Sequence, residues 1–255
     1  MKIITKNNFE LKPNTFVLVD KPVNWTSFDV VGYLRKLFRQ QYPDLKKVKV
    51  GHAGTLDPFA TGLLIVALGR EATREIENFK NLNKTYEATI KLGEISNTGD
   101  NTGNIQPYKL SGLNKIIFNL KTCLPAGRSK ILNKTGQTPA KTEVEKVLAK
   151  FIGPQKQTPP MFSAKKVNGQ RLYDLARKGK EIKRKANKIE IFHINILDYQ
   201  YPFLTIKVIC SPGTYIRTLA EDIGKKLKIG AYCQELKRTD IGHYKLNDAI
   251  ELPLK

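Results

Sequence analysis

The chain is short of acid, histidine and cysteine, and each shortage closes off a class of chemistry. Against 44 Lys and Arg residues stand only 23 Asp and Glu, a net charge of +21. Three histidines (His52, His193, His243) and no cysteine cluster leave few ligands for a metal. The three cysteines, Cys123, Cys210 and Cys233, are odd in number, far apart and without a CxxC pair. That argues against a disulfide framework or zinc site and places the chain in a reducing cytoplasm. The longest apolar run, Leu63 to Leu68, is far too short to cross a bilayer. The segment Met1 to Asn7 holds no continuous apolar stretch of signal-peptide length. GxxxxGK[ST], GxGxxG, HExxH and GxSxG are all missing. What remains is a carboxylate working without metal or cofactor on an anionic polymer.

What is present supports that reading. A length of 255 residues with 40% hydrophobic and 26% charged content describes a globular protein of one large domain or two small ones. The charge is unevenly placed. Residues 51–100 carry five Lys/Arg against seven Asp/Glu, a net of −2, whereas residues 141–190 carry fourteen against five, a net of +9. Between Asp100 and Glu143 there is no acid. Such asymmetry suits a basic face that follows a phosphate backbone, and equally a generically basic surface.

Periodicity gives the elements. Phe16 to Val19 reads as a strand, and Thr26 or Ser27 can cap a helix to about Gln41, with Val30, Val31, Leu34, Leu37 and Phe38 on one face. Leu63 to Leu68, bounded by Gly62 and Gly69, reads as a buried strand, and Glu71 to Ile76 as a short helix. Lys84 to Leu92 alternates with period two, turning Tyr86, Ala88, Ile90 and Leu92 to one side. Residues from about 104 to 138 read as a basic excursion. Thr142 is expected to cap a helix through Ile152 that Gly153-Pro154 stops, and Leu172 to Arg177 forms a short helix. Strands are expected at Ile189–Leu197, Phe203–Cys210 and Ala231–Lys237, a helix from Thr214, and a final short helix at Asn247–Glu251. Strands and helices interspersed without βαβ units indicate an α+β class with a mainly antiparallel sheet.

The densest stretch is Gly51-His52-Ala53-Gly54-Thr55-Leu56-Asp57-Pro58-Phe59-Ala60-Thr61-Gly62, a glycine-rich loop leading into the buried strand. Pro58 biases Asp57 out of the α region and stiffens the turn. A carboxylate so held is a candidate nucleophile or base, and equally a turn residue.

This run, with its Leu63-Leu64 continuation, closely resembles the catalytic motif of the bacterial tRNA pseudouridine synthase B family. Four further blocks follow the family's order: Asp20-Lys21-Pro22 with Thr26-Ser27, Lys84-Thr85-Tyr86, Pro159 to Gly169, and Gly213 to Leu219. The resemblance implies the pseudouridine synthase fold, a mainly antiparallel mixed sheet with flanking helices and a central RNA-binding cleft. It implies isomerisation of the uridine at position 55 in the tRNA T-loop. Asp57 matches the nucleophile, attacking uracil C6 or ribose C1′, and Arg217 the arginine that pairs with it. Tyr86 matches the aromatic residue stacked on the extruded uracil, Tyr215 and Leu236 the lining of the base pocket, and His52 the residue filling the space the base leaves. No cofactor or metal is implied. The expected partner is the tRNA T-arm, with no membrane association and no obligate protein partner, the chain acting as a monomer. Two departures stand out. The chain reads as a single catalytic domain, 1–255, with no C-terminal RNA-binding domain, and the excursion at about 104–138 reads as an insertion that supplies replacement RNA contacts. The competing readings are a non-catalytic tRNA-binding chaperone on the same fold and a guide-RNA-dependent pseudouridine synthase.

Overall fold

Two apolar strands set the frame. In the computed structural model, which describes residues 2–8, 10–45, 48–108, 138–167 and 169–252, the chain begins with β1 (Ile3–Ile4), β2 (Thr15–Lys21), α1 (Ser27–Gln41), β3 (Val50–His52) and β4 (Thr61–Leu68). There follow α2 (Arg70–Arg74), α3 (Ile76–Lys80), β5 (Lys84–Leu92), β6 (Glu94–Ser96), β7 (Ile105–Pro107), α4 (Lys141–Ala149) and β8 (Gly153–Gln157). Next come β9 (Lys166–Val167), β10 (Gln170–Arg171), α5 (Leu172–Arg177), β11 (Asn187–Gln200) and β12 (Phe203–Cys210). The described chain closes with α6 (Ile216–Leu227), β13 (Ala231–Ile241), β14 (Tyr244–Lys245) and β15 (Ile250–Glu251). The mixture of helices with parallel and antiparallel strand pairs is the α+β class expected. The basic excursion lies, from 109 to 137, outside the described residues.

The chain divides into two compact units, one of Met1–Glu87, Val208–Thr214 and Leu236–Lys255, the other of Ala88–Lys207 and Tyr215–Glu235. In the first, β2 pairs antiparallel with β4 along its whole length, from Thr15↔Leu68 to Lys21↔Gly62. Both strands are buried on both faces, which is why they read as unbroken apolar runs rather than alternating ones. Val17, Val19, Leu64, Val66 and Leu68 meet Val30, Val31, Leu34 and Phe38 of α1 on one side. Phe16, Leu18, Leu63, Ile65 and Ala67 meet Ala72 and Phe79 on the other. Thr26 caps α1: its hydroxyl accepts from the Asp29 N–H, and Asp29 answers by accepting from the Thr26 N–H.

The second edge of β4 is shared. β3 pairs with its C-terminal end, His52↔Val66 to Val50↔Leu68, and β13 with its start, Lys237↔Thr61 and Arg238↔Gly62. The loop carrying Asp57 leaves the sheet in the gap between these two partners.

In the second unit β11 pairs antiparallel with β8, Asn187↔Gln157 to Ile191↔Gly153. Helix α6 buries Ile216, Leu219, Ala220, Ile223 and Leu227, and α4 packs against it. Three local expectations are corrected. Ala140, not Thr142, stands at the N-terminus of α4. Gly153-Pro154 opens β8 rather than only stopping a helix, Pro154 sitting opposite Glu190. Asn247–Glu251 is no helix: Leu246–Asp248 is a 3-10 turn, and Ile250 joins Val19 of β2 as β15.

Candidate active site

The Asp57 loop is held at alternate residues by three buried polar side chains. At Gly54 the carbonyl accepts from Nη2 of Arg238 at 3.2 Å. At Leu56, Ser27 Oγ accepts from the N–H at 2.9 Å and donates to the carbonyl at 3.2 Å. At Pro58 the carbonyl accepts from Lys21 Nζ at 3.3 Å and from the Asn24 N–H at 2.8 Å. Lys21 also donates to the carbonyls of Pro22, at 2.7 Å, and Trp25, at 2.6 Å. Ala53, Leu56, Phe59 and Ala60 are buried, while Asp57 is half-buried and Pro58 exposed. The loop is thus anchored by its apolar residues and stapled through its backbone, which leaves the aspartate side chain presented.

Arg238 is the centre of this arrangement. Leu63 lies on the shared edge of β4 between the β3 pairing, which reaches down to Val66, and the β13 pairing, which reaches up to Gly62. Its carbonyl accepts from the Arg238 Nε–H at 2.7 Å. Gly62 makes the approach possible: its φ is +104°, and a Cβ there would lie 2.3 Å from the Arg238 carbonyl oxygen. Tyr86 is buried at the start of β5, and burial pushes its hydroxyl pKa up; the positive charge of Arg238 opposes the rise, and the charge of nearby Asp57 adds to it. Lys21, buried beside the loop, is driven down to about 8 by desolvation, with Asp57 and Asp20 opposing the fall.

His52 ends β3, half-buried, and its Nδ1 has no hydrogen-bond partner among the described residues. Burial first, then the positive charges of Arg238 and Lys80, lower its pKa to about 4, so the ring is neutral at pH 7. Phe28 stands edge-on to it, ring centroids 5.6 Å apart. Leu236, buried, lies two residues before Arg238 on β13. Four of the six expected site residues, His52, Asp57, Tyr86 and Leu236, therefore share the first unit.

Tyr215 and Arg217 belong to the second unit. Gln157 clamps the Tyr215 main chain, accepting from its N–H at 2.7 Å and donating to its carbonyl at 3.0 Å. This replaces the side-chain cap that α6 lacks. Arg217, buried in the first turn, donates to the carbonyls of Thr98, at 2.8 Å, and Phe162, at 2.5 Å. Asp100 approaches it at 3.3 Å, a buried ion pair. The other oxygen of Asp100 accepts from the Thr98 hydroxyl and from the N–H and hydroxyl of Thr102. Arg238, Gln157 and Asp100 are site-supporting residues that the sequence reading missed; only the absence of acid after Asp100 drew notice to the last. Among the described residues no group of three or more His, Cys, Asp or Glu side chains could hold a metal ion.

Comparison with known proteins decides the family. A model described as TruB family pseudouridylate synthase, N-terminal domain, matches residues 39–124 and 115–216. The chain belongs to the TruB family of pseudouridylate synthases. A second family model, described as tRNA pseudouridylate synthase B C-terminal domain, matches residues 217–253, the span from α6 through β15. The tRNA pseudouridine synthase B of Parabacteroides distasonis is 42% identical over 230 residues, covering 89% of this chain and 86% of its own. That of Clostridium tetani is 41% identical over 239 residues, covering 94% and 71%. Among solved structures, a chain of a Cbf5-Nop10-Gar1 complex is similar with a TM-score of 0.62 at 26% identity. The match takes in 93% of this chain and 52% of that one, so the TruB chain spans about half its length. The fold expected from the sequence is thereby established, as is the class of enzyme, an isomerase family.

Proposed function

We propose that this TruB-family chain isomerises uridine to pseudouridine in tRNA, at the position-55 uridine of the T-loop. The observation that carries the reading is the loop stapled through its backbone that carries Asp57, in a chain of a pseudouridylate synthase family. The uridine is first flipped out of the folded loop, at a cost of about a few kcal/mol. His52, neutral and next to the loop, fills the space left behind. Asp57 attacks covalently, at uracil C6 or ribose C1′, and the N1–C1′ bond breaks. The uracil turns and C5 bonds to C1′, the bond to Asp57 breaks to return the free carboxylate (displaced from C1′ by C5, or eliminated from C6), C5 gives up its proton and N1 takes one up. Tyr86 stacks on the base and helps move the C5 proton; Tyr215 and Leu236 line its pocket. Arg217, whose guanidinium Asp100 and two carbonyls already orient, supplies the positive charge that keeps a nucleophilic carboxylate ionised.

Because no redox change or group transfer is involved, the reaction needs no cofactor. We read residues 1–255 as a single catalytic domain acting as a cytoplasmic monomer. The exposed cations Arg177, Lys178, Lys180, Lys183, Lys185 and Lys188 supply attraction for the RNA backbone.

The test is incubation with an unmodified tRNA transcript and mapping of pseudouridine by chemical adduct. Product at the T-loop uridine is expected, with Asp57→Asn abolishing it while RNA binding survives. Product from the Asp57→Asn protein would remove the nucleophile, and no product from the parent would remove the function.

A further inference from the structure

The exposed face of α1 carries an arrangement that the proposed chemistry does not use. Phe28, 60% exposed, projects at the N-terminal end of this helix, edge-on to His52. Burial of an aromatic this size is strongly favoured, so a largely exposed one beside a candidate site marks a contact. Along the same helical face, at spacings of four, seven, eight and eleven residues, follow Gly32, Arg35, Lys36 and Arg39. These last four, with Gln40, line a surface depression of about 410 Å³. Gly32 leaves its floor open, since a Cβ there would meet nothing within 4 Å.

The charges are not consumed within the fold. Arg35 donates to the Val50 carbonyl at 3.4 Å, and among the described residues none of the three cations has a carboxylate partner. The one acid of the helix, Asp29, is occupied in the N-terminal cap, accepting from the Thr26 N–H at 2.7 Å and hydroxyl at 2.8 Å. From Phe28 to Arg39 the strip runs roughly 16 Å, at 1.5 Å per residue.

We infer that the outer face of α1 is a binding track for a single-stranded RNA segment, Phe28 stacking an unpaired base next to the flipped uridine and Arg35, Lys36 and Arg39 holding the phosphates that follow. An aromatic platform continued by a cationic groove is the arrangement that binds unpaired nucleic acid. A protein partner would call for an apolar or acidic complement along the whole strip, whereas here one aromatic residue gives way to three cations. The inference rests on the proposed RNA substrate.

The experiment uses the full chain and an unmodified T-arm stem-loop RNA, with binding read by fluorescence anisotropy across a salt series. Phe28→Ala should weaken binding roughly 5- to 150-fold, and Phe28→Trp should restore most of it. Combined Arg35→Gln, Lys36→Gln and Arg39→Gln should flatten the slope of log K against log salt by about 2. Thermal melts verify folding; all four side chains sit at the surface or half out of it. Parent-like affinity for Phe28→Ala, or a parent-like salt slope for the triple variant, overturns the track. Absence of pseudouridine from the parent protein, by contrast, overturns the function while leaving these binding comparisons to stand or fall on their own.

Discussion

Arg238→Met tests whether the Asp57 loop depends on one buried guanidinium. The substitution keeps the apolar volume of the stem but removes donors at 2.7 Å to the Leu63 carbonyl and at 3.2 Å to the Gly54 carbonyl. Each acceptor left without a partner in a buried place costs about 1–3 kcal/mol. Against that, methionine no longer has to desolvate a positive charge, a relief that favours the variant. Arg238 has no ion-pair partner among the described residues, so no carboxylate is stranded by its loss, and the acceptors decide the balance. A net loss of about 3 kcal/mol lowers the melting temperature of a chain this size by roughly 6–12 °C. Arg238→Lys retains charge but not the fork, and should recover part of the stability. Its pseudouridine formation should still fall at least about tenfold, because a released Gly54 lets the Asp57 turn drift, and small misplacements of reacting groups are costly. The assays are thermal melts by near-ultraviolet circular dichroism and single-turnover kinetics on a tRNA transcript. A methionine variant melting within about 1 °C of the parent would refute the reasoning.

Other changes to the same loop should be read alongside it. Gly62→Ala must force a side chain into a φ of +104° and against the Arg238 backbone, at a cost of about 3 kcal/mol or more; a melting point within 2 °C of the parent would remove the close-approach argument. His52 is neutral when folded, with a pKa near 4, and accepts a proton near 6.5 when unfolded. Its contribution is therefore present above pH 6.5 and is lost as pH falls from 6.5 towards 4. His52→Gln should melt with a shallower acid-side pH dependence than the parent, and parallel curves would contradict the shift. Pro58 is exposed, and its carbonyl is held by Lys21 and Asn24 whatever the ring does. Pro58→Ala should then cost only about 0.4–1 kcal/mol, and a larger drop on chemical denaturation would return the stiffness of the turn to the proline itself.

How far the fold could be read from the sequence depended on whether its determinants were local. The helix at Ser27–Gln41 and the alternation of Lys84–Leu92 follow from spacing alone, and the structure keeps both. Leu63–Leu68 was legible as buried because six consecutive apolar residues need cover on both faces, and α1 and α3 provide it. The tail was misread because its fate is tertiary. Asn247–Glu251 has acceptable helical composition, but pairing of Ile250 with Val19 completes the edge of β2 and wins over propensity. Pro154 was taken as a stop, yet at the edge of a sheet a missing N–H costs little, and β8 stands at the end of the strand order.

The site divides along the same line. His52, Asp57 and Tyr86 were singled out because the short motifs they sit in resemble those of a known family; read alone, Asp57 served equally as a turn residue. Arg238 sits in no such motif: its acceptors, Gly54 and Leu63, lie 184 and 175 residues away. Nothing in the neighbourhood of Lys237 and Thr239 distinguishes it from the other 43 Lys and Arg residues. Its meaning appears only once β3 and β13 are seen to share one edge of β4, with Leu63 between them. The glycine-rich loop is thus only half the device. Glycines and Pro58 permit the turn, but what fixes it are Ser27, Lys21 and Arg238, polar side chains brought from three other segments to backbone groups of the loop. A loop whose position is set through its backbone does not need its side chains to hold its shape, and that is the physical reason the proposed nucleophile, Asp57, can be placed there.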